Sequence, residues 1–237
     1  MCENVMLNPN FKLSKLQIGQ ENNTVIIVDD FLMTPTSLQQ LALEENSFID
    51  EEENYYPGIC KDVPRDYLDL VSDFCRDQIF TALDLKAAAA CESIQSKFSI
   101  VTKRAGELSP IQSIPHFDTS DENQLAAVHY LCSPPFNGTS FYRHKSSGFE
   151  SITPERSKGY FKHLNREATT FGLPKSGYVN GDTALYKQIA SVECAFNRIV
   201  FYKSNLLHAG NIDASLDLRS DPRQGRLTAN SFIKIQS

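Results

Sequence analysis

No apolar run in this chain approaches the length of a membrane span. The longest, around Val25–Val28 and Ile199–Tyr202, match a β-strand, whereas a spanning helix needs about 20 residues. From Met1 to Lys15 there is no basic stretch followed by an apolar one, so no secretory signal is expected. The six cysteines (Cys2, Cys60, Cys75, Cys91, Cys132 and Cys194) include no C-x-x-C pair. Scattered in this way they read as reduced thiols, several in core positions, rather than as a disulfide framework. A basic stripe is also missing: Lys103-Arg104 and Arg143-His144-Lys145 are too short to follow a phosphate backbone, and the net charge is −6. No internal repeat is present, and the one biased stretch is Ala87–Ala90. These absences predict a soluble, cytoplasmic protein with neither a nucleic-acid nor a membrane partner.

What is present is an ordinary globular composition, 41% hydrophobic and 22% charged over 237 residues, enough for one well-buried domain over 1–237. Residues 1–23 are polar and read as an extended lead-in, with Thr24–Val28 as the first strand. Thr34-Pro35 is an N-cap followed by a first helical position, and Leu38, Leu41, Ala42 and Glu45 continue at helical spacing. An acidic loop, Asp50–Asn54, leads to a turn at Tyr55-Tyr56-Pro57-Gly58. A second helix is predicted from about Asp66 to Leu85, ended by the alanine run. Residues 1–96 are thus read as a helical N-terminal support region.

Near Phe98 the pattern changes to short β-branched and aromatic segments between turn residues. The predicted strands are Lys97–Thr102, Gln112–His116, Leu125–Leu131, Thr139–Arg143, Ala184–Val192, Arg198–Lys203 and Leu227–Ile235. This spacing implies an antiparallel sandwich or barrel. Thr153-Pro154-Glu155 opens a polar helix to about Phe171; it reads as a surface helix, with a lid over the barrel mouth as the other possibility.

Within this frame His116-Phe117-Asp118 stands out. Residues i and i+2 of a strand point to one face, and His208 offers a second imidazole from a distant strand. Two histidines and one carboxylate on one side of a metal form the facial triad of non-haem Fe(II) oxygenases, which leaves the opposite face open. Arg226, farther on, supplies a planar fork for a carboxylate. His129, His144 and His163 have no such context and read as structural. On its own an H-x-D tripeptide is weak; its surroundings strengthen it. After Asp118 come the strand Leu125–Leu131, Asn137-Gly138-Thr139-Ser140-Phe141, the apolar Arg198–Tyr202 before Leu207-His208-Ala209-Gly210, and Gly225-Arg226-Leu227-Thr228.

In this order the motifs resemble the Fe(II)- and 2-oxoglutarate-dependent dioxygenase superfamily, in its prolyl-hydroxylase-like branch, over residues 97–235. The resemblance implies a mainly β fold with N-terminal helices: a double-stranded β-helix (jelly-roll) core over 97–235, packed by the helices. It implies Fe(II) held by His116, Asp118 and His208, with 2-oxoglutarate and O2 as cosubstrates. Arg226 would meet the distal carboxylate of the oxo acid, and Thr228 would assist with a hydroxyl. Gln112 and Tyr130, with Tyr142, are weaker candidates for contact with cosubstrate or substrate. Two departures stand against the pattern. Asn137 occupies the first of two usual glycine positions, and the His208–Arg226 interval is long, placing Arg219 and Arg223 in a polar loop where they are expected to be solvated. The implied reaction is hydroxylation of a C–H bond in a peptidyl, amino-acid or other small-molecule substrate. The alternatives are a cupin-like metalloprotein without an oxo acid, and a catalytically silent barrel that binds a metabolite or partner.

Overall fold

Short strands build most of the protein, and the central ones are buried on both faces. The computed structural model describes residues 5–44, 48–50, 55–83, 85 and 90–236. In chain order the elements are β1 (Lys12–Ile18), β2 (Asn23–Asp29), α1 (Pro35–Leu43), β3 (Gly58–Asp62) and α2 (Arg65–Phe74). A π-helical turn at Cys75–Ile79 leads to the single turn α3 (Phe80–Ala82). There follow β4 (Ala90–Val101), β5 (Gln124–Tyr130), β6 (Thr139–His144), α4 (Pro154–Phe171), β7 (Tyr186–Val192), β8 (Arg198–Lys203), β9 (His208–Gly210) and β10 (Leu227–Gln236).

The strands form two antiparallel sheets, a mainly β sandwich. The large sheet has the order β1-β2-β8-β5-β10-β4-β3, the small one β7-β6-β9. β10, last in sequence, lies mid-sheet between β5 and β4, with Thr228 opposite both Tyr130 and Ser99. Its two faces have different jobs, as side chains alternate along a strand. Leu227, Ala229, Ile233 and Ile235 join a core with Leu38 of α1 and Tyr67, Val71 and Phe74 of α2. Thr228, Asn230 and Phe232 face a cavity instead. The helices therefore cover the outer face of the large sheet, as the change in periodicity near Phe98 predicts. Between the sheets a second core holds Tyr130, Phe141, Val192, Val200 and Tyr202. A third, with Tyr142, Tyr160 and Leu207, seats α4 on the small sheet. No described helix is long and apolar enough to cross a membrane.

The structure corrects several expectations. Residues 12–18 are not a lead-in but β1, paired along its whole length with β2; Leu13 packs on the core under the helices, while Leu16 and Ile18 join the core between the sheets. β3 and the first half of β4 also precede residue 97, so the N-terminal region supplies strands as well as helices. Gln112–His116 is not a strand: Pro110–Ser113 is a 3-10 turn in which the Ser109 amide donates to Gln112 Oε1 at 3.0 Å. The first helix ends at Leu43. Most of the acidic Asp50–Asn54 loop and of the Ala87–Ala90 run lies outside the described residues.

One buried carboxylate ties the edge hairpin to the rest. Glu150 is 1% exposed and accepts from the amides of Gln20 (2.8 Å) and Glu21 (3.0 Å) and from Arg143 Nε of β6 (2.7 Å). Gly19, at φ +70°, has no space for a side chain, since a Cβ would lie 2.0 Å from a Glu150 oxygen. Burial alone would raise the pKa of Glu150, but the two amides and Arg143 outweigh it and hold it below the usual value. Its contribution is complete above the usual carboxylate pKa of about 4.3 and is lost as the pH falls through the lowered folded-state value. Glu150→Ala should cost roughly 1–3 kcal/mol, because the Gln20 and Glu21 amides and the partly buried Arg143 then lose their acceptor. Urea unfolding at pH 7 and pH 3 tests this: the gap between wild type and variant should be full at pH 7 and smaller at pH 3.

Candidate metal and anion site

His116 and His208 meet through their backbones. The His116 amide donates to His208 O at 2.9 Å and the His208 amide to His116 O at 2.8 Å, an isolated antiparallel bridge. The segment 116–118 lies outside the regular strands, so the same-face argument acts through this bridge rather than through a ladder. Two residues on, the Asp118 amide donates to Ser204 O at 2.8 Å, which keeps the chain extended and returns Asp118 to the side of His116. Phe117 points the other way, edge-on to Tyr160 of α4 with ring centroids 6.0 Å apart.

The result is three ligand atoms, one each from His116, Asp118 and His208, all within 4.8 Å of one another. His116 Nε2 is 3.8 Å from Asp118 Oδ1, and His208 Nε2 is 3.8 Å from Asp118 Oδ2. Neighbouring ligands of an octahedral ion with bonds of about 2.1 Å stand about 3 Å apart, a small side-chain adjustment from this spacing. His208 Nδ1 lies 2.8 Å from Leu206 O. A carbonyl only accepts, so Nδ1 carries the proton and the Nε2 lone pair faces the other two ligands. The Tyr202 ring, 4.8 Å away, packs against the imidazole.

Electrostatics prepares the same cluster. Half of the His116 side chain is accessible, but the surface it exposes lines a cavity walled by protein. Burial, with His208 adding to it and Asp118 opposing, lowers the pKa of His116 to about 4. Burial also lowers His208 to about 4, against the Leu206 carbonyl, and raises Asp118 to about 6, against His116. At neutral pH the cluster thus presents two neutral imidazoles and one carboxylate, the protonation state in which these groups ligate a cation.

The cavity, about 650 Å³, has Arg226 and Thr228 in its wall as well as the triad. Arg226 is 5% exposed. Its Nε donates to Asn137 O and its Nη2 to Gly138 O, both at 3.0 Å, and its guanidinium lies 5.6 Å from the centre of the Tyr130 ring. Among the described residues no carboxylate pairs with it. A buried cation held by carbonyls and lacking an anion is costly unless a ligand supplies one. Arg219 and Arg223 are exposed, and Arg219 pairs with Asp217 at 2.7 Å.

The other predicted residues are distributed differently. Thr228 Oγ1 donates to Ser99 O at 3.5 Å, and its hydroxyl also hydrogen-bonds with Tyr56. Tyr130 stands behind Arg226 rather than in the cavity wall, its hydroxyl 2.7 Å from Thr139 Oγ1. Gln112 is in the wall, but its amide donates to Tyr55 O and its oxygen accepts from Ser109. Tyr142 packs with α4 on the far side of the small sheet. α4 is more than a surface helix, because Tyr160, Phe161 and Leu164 line the cavity. Two residues at the Arg226 end escape sequence reasoning. Tyr56 interacts with Arg226 and Thr228, and Tyr178, whose hydroxyl donates to Lys103 O at 2.6 Å, also faces Arg226. Both come from loops, where no periodicity marks a residue as inward-facing.

Gly138 is required by close approach: a Cβ there would lie 1.8 Å from Val192 O and 2.8 Å from the Cys194 amide nitrogen. Gly138→Ala should therefore push the 137–138 carbonyls off Arg226 and cost roughly 1–3 kcal/mol, as overpacking does. Gly106→Ala, with nothing within 4 Å of the added carbon, serves as the control. Thermal unfolding should show a drop of several degrees for the first and little change for the second.

No curated protein matches this chain in sequence. Among solved structures, HygX from Streptomyces hygroscopicus with nickel and 2-oxoglutarate bound superposes with a TM-score of 0.50 at 10% identity, over 90% of this chain and 84% of that one. SnoN, a non-heme alpha ketoglutarate dependent epimerase from nogalamycin biosynthesis, gives 0.49 at 10% identity, over 90% and 78%. At this identity the HygX likeness establishes shared fold alone. Residues 9–233 match the model of DUF6445, a family of unknown function, and the chain belongs to that family.

Proposed function

We propose that this protein is an Fe(II)- and 2-oxoglutarate-dependent oxygenase that hydroxylates a C–H bond of a small-molecule or peptidyl substrate. One observation carries the reading: a two-histidine, one-carboxylate cluster and a buried arginine, without a carboxylate partner among the described residues, line the same cavity. A cupin-like metal site has no need of that arginine, and a silent barrel has no need of the cluster. The fold shared with HygX supports the reading, and the two facing sheets agree with a double-stranded β-helix.

His116, Asp118 and His208 would hold the metal from one side, with His208 oriented by Leu206 O. Bound there with the oxo acid and O2, iron supplies the oxidising power for C–H hydroxylation. The chain's own residues position the reactants and exclude water. Arg226 neutralises and aligns the distal carboxylate of the oxo acid, the Asn137 and Gly138 carbonyls keep its fork aimed, and Thr228 and Tyr56 offer hydroxyls beside it. Phe117, Tyr160, Phe161 and Leu164 keep the opposite side apolar, where a substrate C–H would lie. Retention of an acid at the Asp118 position favours transfer of hydroxyl, since halogenases of this type have a small residue there.

Two measurements test the assignment. His208→Ala should abolish stoichiometric binding of Fe(II) or Ni(II) in a calorimetric titration while the protein stays folded by circular dichroism; retained stoichiometric metal with full oxo-acid turnover refutes the ligand set. Arg226→Ala should leave metal binding intact and weaken 2-oxoglutarate by about 2–5 kcal/mol, a factor of roughly thirty to several thousand. Arg219→Ala and Arg223→Ala should bind it like wild type, and indifference to all three changes would remove the oxo acid from the reading.

A further inference from the structure

Behind Arg226 the two sheets are joined by a pair of thiols. Cys132 lies just past β5 of the large sheet and Cys194 just past β7 of the small one. Their sulfurs are 3.6 Å apart, and the residues are only 7% and 6% exposed. A sulfur pair at this distance, on loops of two different sheets, is close to cross-linking geometry. It also adjoins a functional element. The Gly138 backbone is wedged against the Cys194 amide, and the Gly138 carbonyl holds Arg226 Nη2 at 3.0 Å.

We propose that Cys132 and Cys194 are a site of reversible oxidation, joined by a peroxide into a disulfide that links the sheets and weakens the anion site at Arg226. The chemistry balances with hydrogen peroxide as oxidant. The Cys194 sulfur attacks one peroxide oxygen, the O–O bond breaks, and a sulfenic acid and one water form. The Cys132 sulfur then attacks the sulfenic sulfur, the S–O bond breaks, and a second water leaves with the remaining thiol proton. Two electrons pass from the sulfurs to the peroxide, so two thiols and one peroxide give one disulfide and two waters.

Cys194 is the better nucleophile of the two. The contact with the Cys132 sulfur, with Arg226 and Arg198 nearby, outweighs burial and lowers its pKa, while the same contact and burial raise that of Cys132. As a thiol, Cys194 donates to Cys132 O at 3.5 Å, which holds its sulfur beside the Cys132 segment. Closing the gap from 3.6 Å to the S–S bond length of about 2.05 Å draws the 132 and 194 loops together. Gly138, already in tight contact with the Cys194 loop, has no slack to absorb this. Its carbonyl must shift, and with it the guanidinium it aims. Oxidation is therefore read at the anion site, whereas the triad, built on the 116–118 segment and β9, is left as it was.

The effect on 2-oxoglutarate rests on the proposed function; the disulfide does not. The test uses the full chain, reduced, desalted and exposed to a small excess of hydrogen peroxide. Thiols are counted after denaturation, cross-links are mapped by non-reducing peptide mass analysis, and 2-oxoglutarate affinity is measured with Ni(II) present. The expected result is loss of two of the six thiols, a Cys132–Cys194 cross-link reversed by dithiothreitol, and roughly tenfold weaker 2-oxoglutarate binding. Cys132→Ser and Cys194→Ser should bind 2-oxoglutarate like the reduced wild type and lose the response to peroxide. An unchanged thiol count, a different cross-link or only single-thiol oxidation overturns the site. Full disulfide formation with unchanged affinity overturns its regulatory effect. Failure of the reduced protein to bind 2-oxoglutarate removes the proposed function and the regulatory effect together, while the peptide map still decides whether the pair is a site of oxidation.

Discussion

Two backbone hydrogen bonds between His116 and His208 are the contact on which the site depends. They join a segment outside the regular strands to the short edge strand β9, and no side chain is needed to make them. Because the bridge is antiparallel, each residue's side chain is directed by its partner's backbone. The bond from the Asp118 amide to Ser204 O then limits where the carboxylate can stand. Placement of the three candidate ligand side chains is thus set by main-chain pairing.

The cavity wall carries groups of both signs. An ionised Asp118 is disfavoured by burial, and Arg226 is buried without a carboxylate partner among the described residues. Each group is costly to bury alone. The core between the large sheet and α1 and α2 sets its few buried polar groups in hydrogen-bonded pairs, His129 with Tyr67 and Asn197 and Ser96 with Ser231, among apolar side chains.

Distant parts of the chain must close around the site. β10 carries Thr228, with Arg226 at its threshold, and lies between β5 and β4. The residues that hold Arg226 come from the loop before β6, and α4 walls the cavity between β6 and β7 in sequence. Glu150 fastens the N-terminal hairpin to this assembly through Arg143 and the amides of the 19–22 turn. The cavity exists only once the last strand is in place.

The sequence by itself determined the elements with strong local signals and the residues with distinctive chemistry. The strands β5, β6, β7, β8 and β10 follow from short β-branched and aromatic segments between turn residues, and the Pro154–Phe171 helix from its Thr-Pro start. His116, Asp118, His208 and Arg226 could be named because ligand types in a fixed order are rare enough to notice. What only the tertiary structure decided were contacts between residues far apart in sequence. The β1–β2 hairpin was hidden by its polar edge face, and the 116–118 segment takes its geometry from a bridge rather than from strand propensity. Tyr56 and Tyr178 reach Arg226 from loops, and Cys132 meets Cys194 across two sheets. Local propensity reports a residue's own backbone preference, whereas these contacts arise from where distant strands come to rest.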